Sequence, residues 1–132
     1  MNQGFDLPSL LTKLIYGDEA TESVEQIVEQ LLAPRFVLRF NGQVFGRSEF
    51  IAHVRESRRM AVGGGELRVL EEISTDTRIS GRYLFRLISA EGRSLGVESH
   101  LFAKIDDGRV ERIVEIARQV EGDTEEDFLA DT

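Results

Sequence analysis

Glu98-Ser-His-Leu-Phe-Ala-Lys-Ile-Asp-Asp-Gly-Arg-Val-Glu-Arg-Ile-Val-Glu-Ile-Ala-Arg-Gln119 decides the architecture of this chain. Leu101 and Ala103 alternate with His100, Phe102 and Lys104, which is strand spacing. Asp107-Gly108 is a two-residue hairpin turn, because both residues tolerate a positive φ. The chain returns from it over residues 110–120 as a second strand. Working backwards, a further strand is marked by Ile79, Tyr83, Phe85 and Leu87, ending at a Glu91-Gly92 turn. Another is marked by Leu67, Val69 and Ile73. Connections this short join antiparallel neighbours.

Upstream of these strands the apolar period changes to that of helices. Leu7, Leu10, Leu11, Leu14 and Ile15 form one stripe, with Asp6 as N-cap, Pro8 in the first turn and Gly17 as a stop. A second helix is expected over residues 21–32, capped by Thr21 and striped by Val24, Ile27, Val28, Leu31 and Leu32. Pro34 should end it. Phe36, Leu38 and Phe40 then alternate with Val37 and Arg39 as a strand, and Asn41-Gly42 turns it into a short return over residues 43–45. Ser48 should cap a third helix that turns Phe50, Ile51 and Val54 inward and breaks at Gly63-Gly64-Gly65. Helices segregated from an antiparallel meander define an α+β chain. A single domain is expected over residues 1–120, followed by an acidic tail over 121–132 that should fray.

The composition narrows the function classes. The chain has 132 residues, a formal net charge of -8 and no cysteine. Disulfides, thiolate metal sites and cysteine nucleophiles are therefore excluded. An acidic surface is the wrong sign for a nucleic-acid duplex. No apolar run reaches the about 18 residues of a membrane span, and the start lacks the basic and apolar regions of a signal peptide. No nucleic-acid or membrane partner is expected, and the location should be cytoplasmic. Gly63-Gly64-Gly65 is not a phosphate loop, since no lysine follows it; a hinge at a pocket edge is the simpler reading. His53 and His100 lie on different elements without a spaced carboxylate, so neither a metal nor another cofactor is expected.

The element order resembles the cone-shaped fold of nuclear transport factor 2-like proteins, in the branch that includes ketosteroid isomerase and the SnoaL-like polyketide cyclases. Phe36-Val-Leu-Arg-Phe-Asn-Gly42, Phe45-Gly-Arg-Ser-Glu-Phe-Ile-Ala-His-Val54 and Phe102-Ala-Lys-Ile-Asp-Asp-Gly-Arg-Val110 carry the resemblance, which covers nearly the whole chain. It implies three helices in the N-terminal half packed on a curved antiparallel sheet. The concave face would hold a pocket for a small hydrophobic molecule. The convex face would pair two copies through Arg82, Leu84, Arg86 and Phe102, since Leu84, Ile88, Phe102, Val114 and Ile116 make it too apolar to leave wet.

Strand parity gives the pocket residues. Tyr83, Phe85 and Leu87 form the apolar side of their strand, and Ser99 and Leu101 that of theirs; Phe50 and Val54 face them from the third helix. On the last strand, Ile113, Glu115 and Ala117 match the pocket-lining positions of ketosteroid isomerase. The resemblance, rather than hydrophobicity, thus turns Glu115 inward. A carboxyl there would have a raised pKa and could act as an acid or base, with Tyr83 and Ser99 positioning a substrate oxygen. Glu71 is a second, wetter candidate. The bland alternative pairs Glu115 with an arginine.

Ketosteroid isomerase chemistry itself is not supported. Its catalytic aspartate falls at Phe40 or Asn41, its oxyanion tyrosine near Leu10, and its oxyanion acid at His100 or Leu101. Parity places His100 on the outer face. His53, beside the apolar stripe of the third helix, could reach the pocket rim, although a solvated helix face is the blander reading. The basic side chains Arg47, Arg55, Arg58 and Arg59 fit a solvated face offset by glutamates. Three functions follow: a binding protein for a small hydrophobic molecule; an isomerase, cyclase or dehydratase using Glu115; and a protein–protein adaptor, which would have a filled pocket.

Overall fold

The computed structural model describes residues 4–120; the expected acidic tail lies outside them. The described elements run α1 (Leu7–Tyr16), α2 (Val24–Leu31), β1 (Leu32–Phe40), β2 (Gln43–Phe45), α3 (Arg47–Met60), β3 (Gly64–Ser74), β4 (Arg78–Ile88), β5 (Ser94–Asp106) and β6 (Arg109–Val120). The six strands form one curved, unclosed sheet in the order β2-β1-β6-β5-β4-β3, with three helices against it. This is the α+β arrangement expected from the sequence. It differs in one respect: β1 runs parallel to β6, so the sheet is mixed rather than wholly antiparallel. That pairing joins residues more than seventy positions apart, and no local signal announces it.

Local chemistry explains most boundaries. Asp6 accepts a hydrogen bond from the Ser9 amide at 3.0 Å and caps α1. The cap of α2 is Ser23 rather than Thr21. Ser23 accepts from the Gln26 amide at 3.1 Å while the Gln26 side chain accepts from the Ser23 amide at 2.7 Å. This reciprocal box satisfies two otherwise orphaned donors, which a lone threonine could not do. The start of α3 is likewise set by a side chain inside the helix. Glu49 accepts from the Gly46 amide at 2.8 Å, and Ser48 lies within the first turn instead of capping it. Pro34 sits inside β1, where the pairing with β6 is irregular between Leu32 and Val37, so its missing amide breaks no ladder bond.

Both asparagine- or aspartate-glycine turns are as expected. Asn41 and Gly42 have φ of 48° and 89°, and Asp107 and Gly108 have 54° and 75°. These left-handed pairs match the twist of the flanking strands.

The Gly63-Gly64-Gly65 segment is not a hinge. Gly64 and Gly65 open β3, paired with Ile88 and Leu87. Gly65 has φ of +138°, and a Cβ there would stand 2.0 Å from the Arg86 carbonyl oxygen and 2.9 Å from the Tyr16 ring. The Tyr16 hydroxyl uses this space to share its proton between the carbonyls of Glu66 at 2.9 Å and Arg86 at 2.8 Å, pinning α1 to the sheet. Gly65→Ala should therefore cost about 2–3 kcal/mol in chemical denaturation, from backbone strain together with the lost approach of Tyr16. A loss below about 0.5 kcal/mol would contradict this.

The core lies between the helices and the sheet. Leu7, Leu10, Val24, Ile27, Leu32, Phe36, Ile79, Leu101, Ala103 and Val110 are all buried there. The outer face is less uniform than parity implied. Phe102 is exposed, but Leu84 is buried within the single chain and so is not available to a partner as expected. Beside it the buried carboxylate of Glu98 meets Arg118 at 3.0 Å, Arg82 at 3.5 Å and His100 at 3.0 Å. His100 is thus on the outer face, away from the cone's interior.

Candidate functional site

A cavity of about 220 Å³ lies between the helices and the concave sheet face. Helix α1 contributes Leu11, Leu14 and Ile15; α3 contributes Phe50, His53, Val54, Ser57 and Met60. The sheet contributes Leu38 and Phe40 from β1, Phe85 and Leu87 from β4, Val97 and Ser99 from β5, and Ile113 and Glu115 from β6. The walls are thus largely apolar, with four polar side chains among them.

Glu115 faces inward because of a bulge. Ile105 pairs with Val110 and Lys104 with Arg112, so Glu111 is an extra residue on β6. Val110 is buried, and strict alternation from it would turn Arg112, Val114 and Ile116 inward. The bulge shifts the parity by one residue. Ile113 and Glu115 then face the cavity, and Ile116 is 59% exposed outside.

Asn41 fastens this register. Its amide donates to the Glu115 carbonyl at 2.9 Å, its Nδ2 donates to the Ala117 carbonyl at 3.1 Å, and its Oδ1 accepts from the Ala117 amide at 2.8 Å. The turn residue therefore clamps the backbone on both sides of the acid. Reading Asn41 only as a turn former missed this, because the partner strand is so distant in sequence.

The Glu115 carboxyl has one hydrogen-bond partner among the described residues: Ser99 Oγ donates to its Oε2 at 2.5 Å. No cation pairs with it among those residues. Burial raises its pKa above the ordinary carboxylate range, and the Ser99 hydrogen bond only partly opposes that.

The remaining expected site residues divide. Phe50, Val54, Phe85, Ser99 and Ile113 line the cavity with Glu115, whereas Tyr83 and Leu101 do not. Tyr83 is fully buried, and its hydroxyl donates to Glu72 Oε2 at 2.6 Å. Its hydroxyl lies beside Gly81, where a Cβ would come within 2.9 Å of it. The missing side chain of Gly81 thus lets the tyrosine lie along the sheet toward Glu72. Leu101 is packed in the core, across the strand pair from Glu115. Glu71 binds Arg82 on the outer face and takes no part in the cavity.

His53 corrects the sequence reading in the other direction. Its ring centroid lies 4.9 Å from that of Phe40 and 5.3 Å from that of Phe45, and it lines the cavity instead of a solvated face. Burial lowers its pKa below the ordinary histidine range. Apolar neighbours on α3 hid this, because helical spacing alone places His53 at the margin of the stripe. The arginines of α3 are turned away from the cavity. Arg55 meets Glu25 and Glu19, and Arg58 meets Glu19 at 2.8 Å and the Leu14 carbonyl at 2.8 Å. Among the described residues no group of acidic or histidine side chains is placed to hold a metal, and no helix is long and apolar enough to cross a membrane.

No family model matches the sequence, and no curated protein matches it. Solved structures match in shape. An NTF2-like protein of unknown function from Cytophaga hutchinsonii aligns at TM-score 0.59 and 17% identity, over 83% of this chain and 94% of that one. A SnoaL-like polyketide cyclase from Agrobacterium tumefaciens aligns at 0.60 and 15% identity, over 83% and 86%. A de novo designed protein with a curved β-sheet aligns at 0.60 and 14% identity, over 83% and 80%. A natural cyclase and a designed scaffold match equally well, so the likeness speaks to architecture and leaves chemistry to the site. The chain has the nuclear transport factor 2-like fold, in the form shared with SnoaL-like proteins.

Proposed function

We propose that the cavity binds a small, mostly apolar carbonyl compound and that Glu115 exchanges a proton with it. The observation that supports this is the Glu115 carboxyl, enclosed by apolar walls, bonded to Ser99 and paired with no cation among the described residues. A structural carboxylate would be expected to meet a guanidinium or several backbone amides. A carboxyl held above its ordinary pKa is instead suited to proton transfer near neutral pH. The volume lies below the about 300–1,000 Å³ of sites for drug-sized ligands, which favours a compact substrate. Isomerisation, cyclisation and dehydration all use such a step. The hollow between helices and sheet also disfavours the adaptor reading, which requires a filled pocket.

The test is deuterium exchange at the α-carbon of small ketones in heavy water, followed by proton NMR. Cyclohexanone, cyclohexenone and acetophenone sample the size range. Wild-type protein should accelerate exchange of at least one of them. Val97→Trp, which places a large ring in the hollow, should abolish both acceleration and ligand-induced shifts in the protein spectrum. Neither exchange nor binding by the wild type would end this reading.

The outer face supports a second copy as partner, since Phe102 and Ile116 are 61% and 59% exposed on adjacent strands. Sedimentation velocity showing only monomer would remove that part of the proposal.

A further inference from the structure

Among the described residues, His53 and Glu115 are the two titratable side chains that line the cavity, and they come from α3 and β6. Phe40 links them. It is the partner of Glu115 across the parallel β1–β6 pair, and its ring lies 4.9 Å from the imidazole. Phe45 stacks on the same imidazole with an interplanar angle of 29°. Two aromatic rings thus set the plane of His53, yet neither ring nitrogen has a hydrogen-bond partner among the described residues. Glu115 commits Oε2 to Ser99 and leaves Oε1 without one. One hollow therefore holds an oriented imidazole and a carboxyl, each with an unspent polar atom.

We propose that His53 is the second proton-transfer group of this site, taking a proton from the carbon beside a substrate carbonyl whose oxygen faces Glu115. The inference rests on the reading of Glu115 given above. In the step, an imidazole nitrogen accepts the α-proton. The C–H electron pair becomes the carbon–carbon double bond of an enol, the carbonyl π pair moves to oxygen, and oxygen takes the Glu115 carboxyl proton. Imidazolium and carboxylate remain. Return of the proton to the same carbon, or to a conjugated one, and of the enol proton to Glu115 restores both groups without any co-reactant.

The electrostatic setting agrees. Burial holds the imidazole below and the carboxyl above their ordinary ranges, so both are favoured in their neutral forms. The other charged side chains of α3 are engaged elsewhere: Arg55 with Glu19 and Glu25, Arg58 with Glu19, Arg59 with Glu56, Glu49 with the Gly46 amide, and Arg47 with Glu29 and the Val28 carbonyl.

The same ketone exchange provides the test, with protein NMR shifts induced by cyclohexenone as the binding readout. His53→Gln should lower the exchange rate about 100-fold or more and remove the loss of rate at low pH that imidazole protonation causes in the wild type. Its unfolding temperature and cyclohexenone binding should stay close to wild type. A second measurement uses only folded wild type and Glu115→Gln: the His53 ring titration should move between them. Wild-type exchange by His53→Gln overturns the inference, as does a ring titration identical in both proteins. If His53→Gln keeps full exchange while Glu115→Gln loses it, the inference fails and the reading of Glu115 stands. If the wild type exchanges none of the ketones, both fail.

Discussion

Glu115→Gln should lower ketone exchange by about 100-fold or more while making the protein more stable at neutral pH. The loss of rate follows from removing the one carboxyl that lines the cavity among the described residues, since positioned acid–base groups contribute about 10²–10⁴-fold. The gain in stability follows from its pKa. Burial sets the folded-state value above that of the unfolded chain. Below the ordinary carboxylate range both states hold the proton and the group causes no penalty. As pH rises toward the folded value, the unfolded chain releases its proton first and stability falls; above the folded value the penalty is complete. Glutamine keeps the shape and an acceptor for Ser99 but cannot ionise. The variant should gain about 1 kcal/mol, or about 4 °C in unfolding temperature, at pH above the folded value. The two proteins should converge in acid. Thermal unfolding across a pH series checks this, and equal stability at every pH would contradict an enclosed, unpaired carboxyl. The opposite signs for activity and stability separate a working acid from a structural one.

Phe36→Ala should cost about 4 kcal/mol, or about 15 °C in unfolding temperature. Phe36 is 1% exposed, and its ring meets that of Phe50 edge-on at a centroid distance of 4.8 Å. Truncation loses buried apolar surface, opens a void and removes an aromatic contact that itself contributes about 1 kcal/mol. Phe50 also lines the cavity, so the variant should bind cyclohexenone more weakly even at temperatures where it remains folded. Phe36→Leu, which keeps most of the volume, should lose about 1.5 kcal/mol. Chemical denaturation of the two variants checks the ranking. A loss below about 2 kcal/mol for alanine would mean that the surrounding helices collapse into the space.

Several features of this molecule are written in short stretches of sequence. The stripe from Leu7 to Ile15, the cap at Asp6 and the turns at Asn41-Gly42 and Asp107-Gly108 depend on neighbours a few residues apart. Their geometry follows from local sterics and hydrogen bonding, so reading them in order leads to helices followed by a meander. Strand parity likewise placed Phe85, Ser99 and Leu87 on the concave side and His100 on the convex side. Even the errors at the starts of α2 and α3 are local ones, in which the side chains of Gln26 and Glu49, reaching back to an amide, outcompeted an eligible hydroxyl.

The site depends on pairings between distant residues. The extra residue Glu111 in β6 turns Glu115 inward, and an alternation count from Val110 would have turned it outward. Asn41 clamps that strand only because β1 lies parallel to β6. The space beside Gly81 draws Tyr83 toward Glu72 and out of the cavity. Phe40 and Phe45 enclose His53 only once β2 has folded back beside α3. The sequence by itself determined the element order, the fold class and most of the inward faces, because those follow from periodicity and turn chemistry along the chain. Tertiary structure alone decided which polar groups share the cavity, because bulges, cross-strand clamps and close approaches arise between segments that meet only in the folded protein.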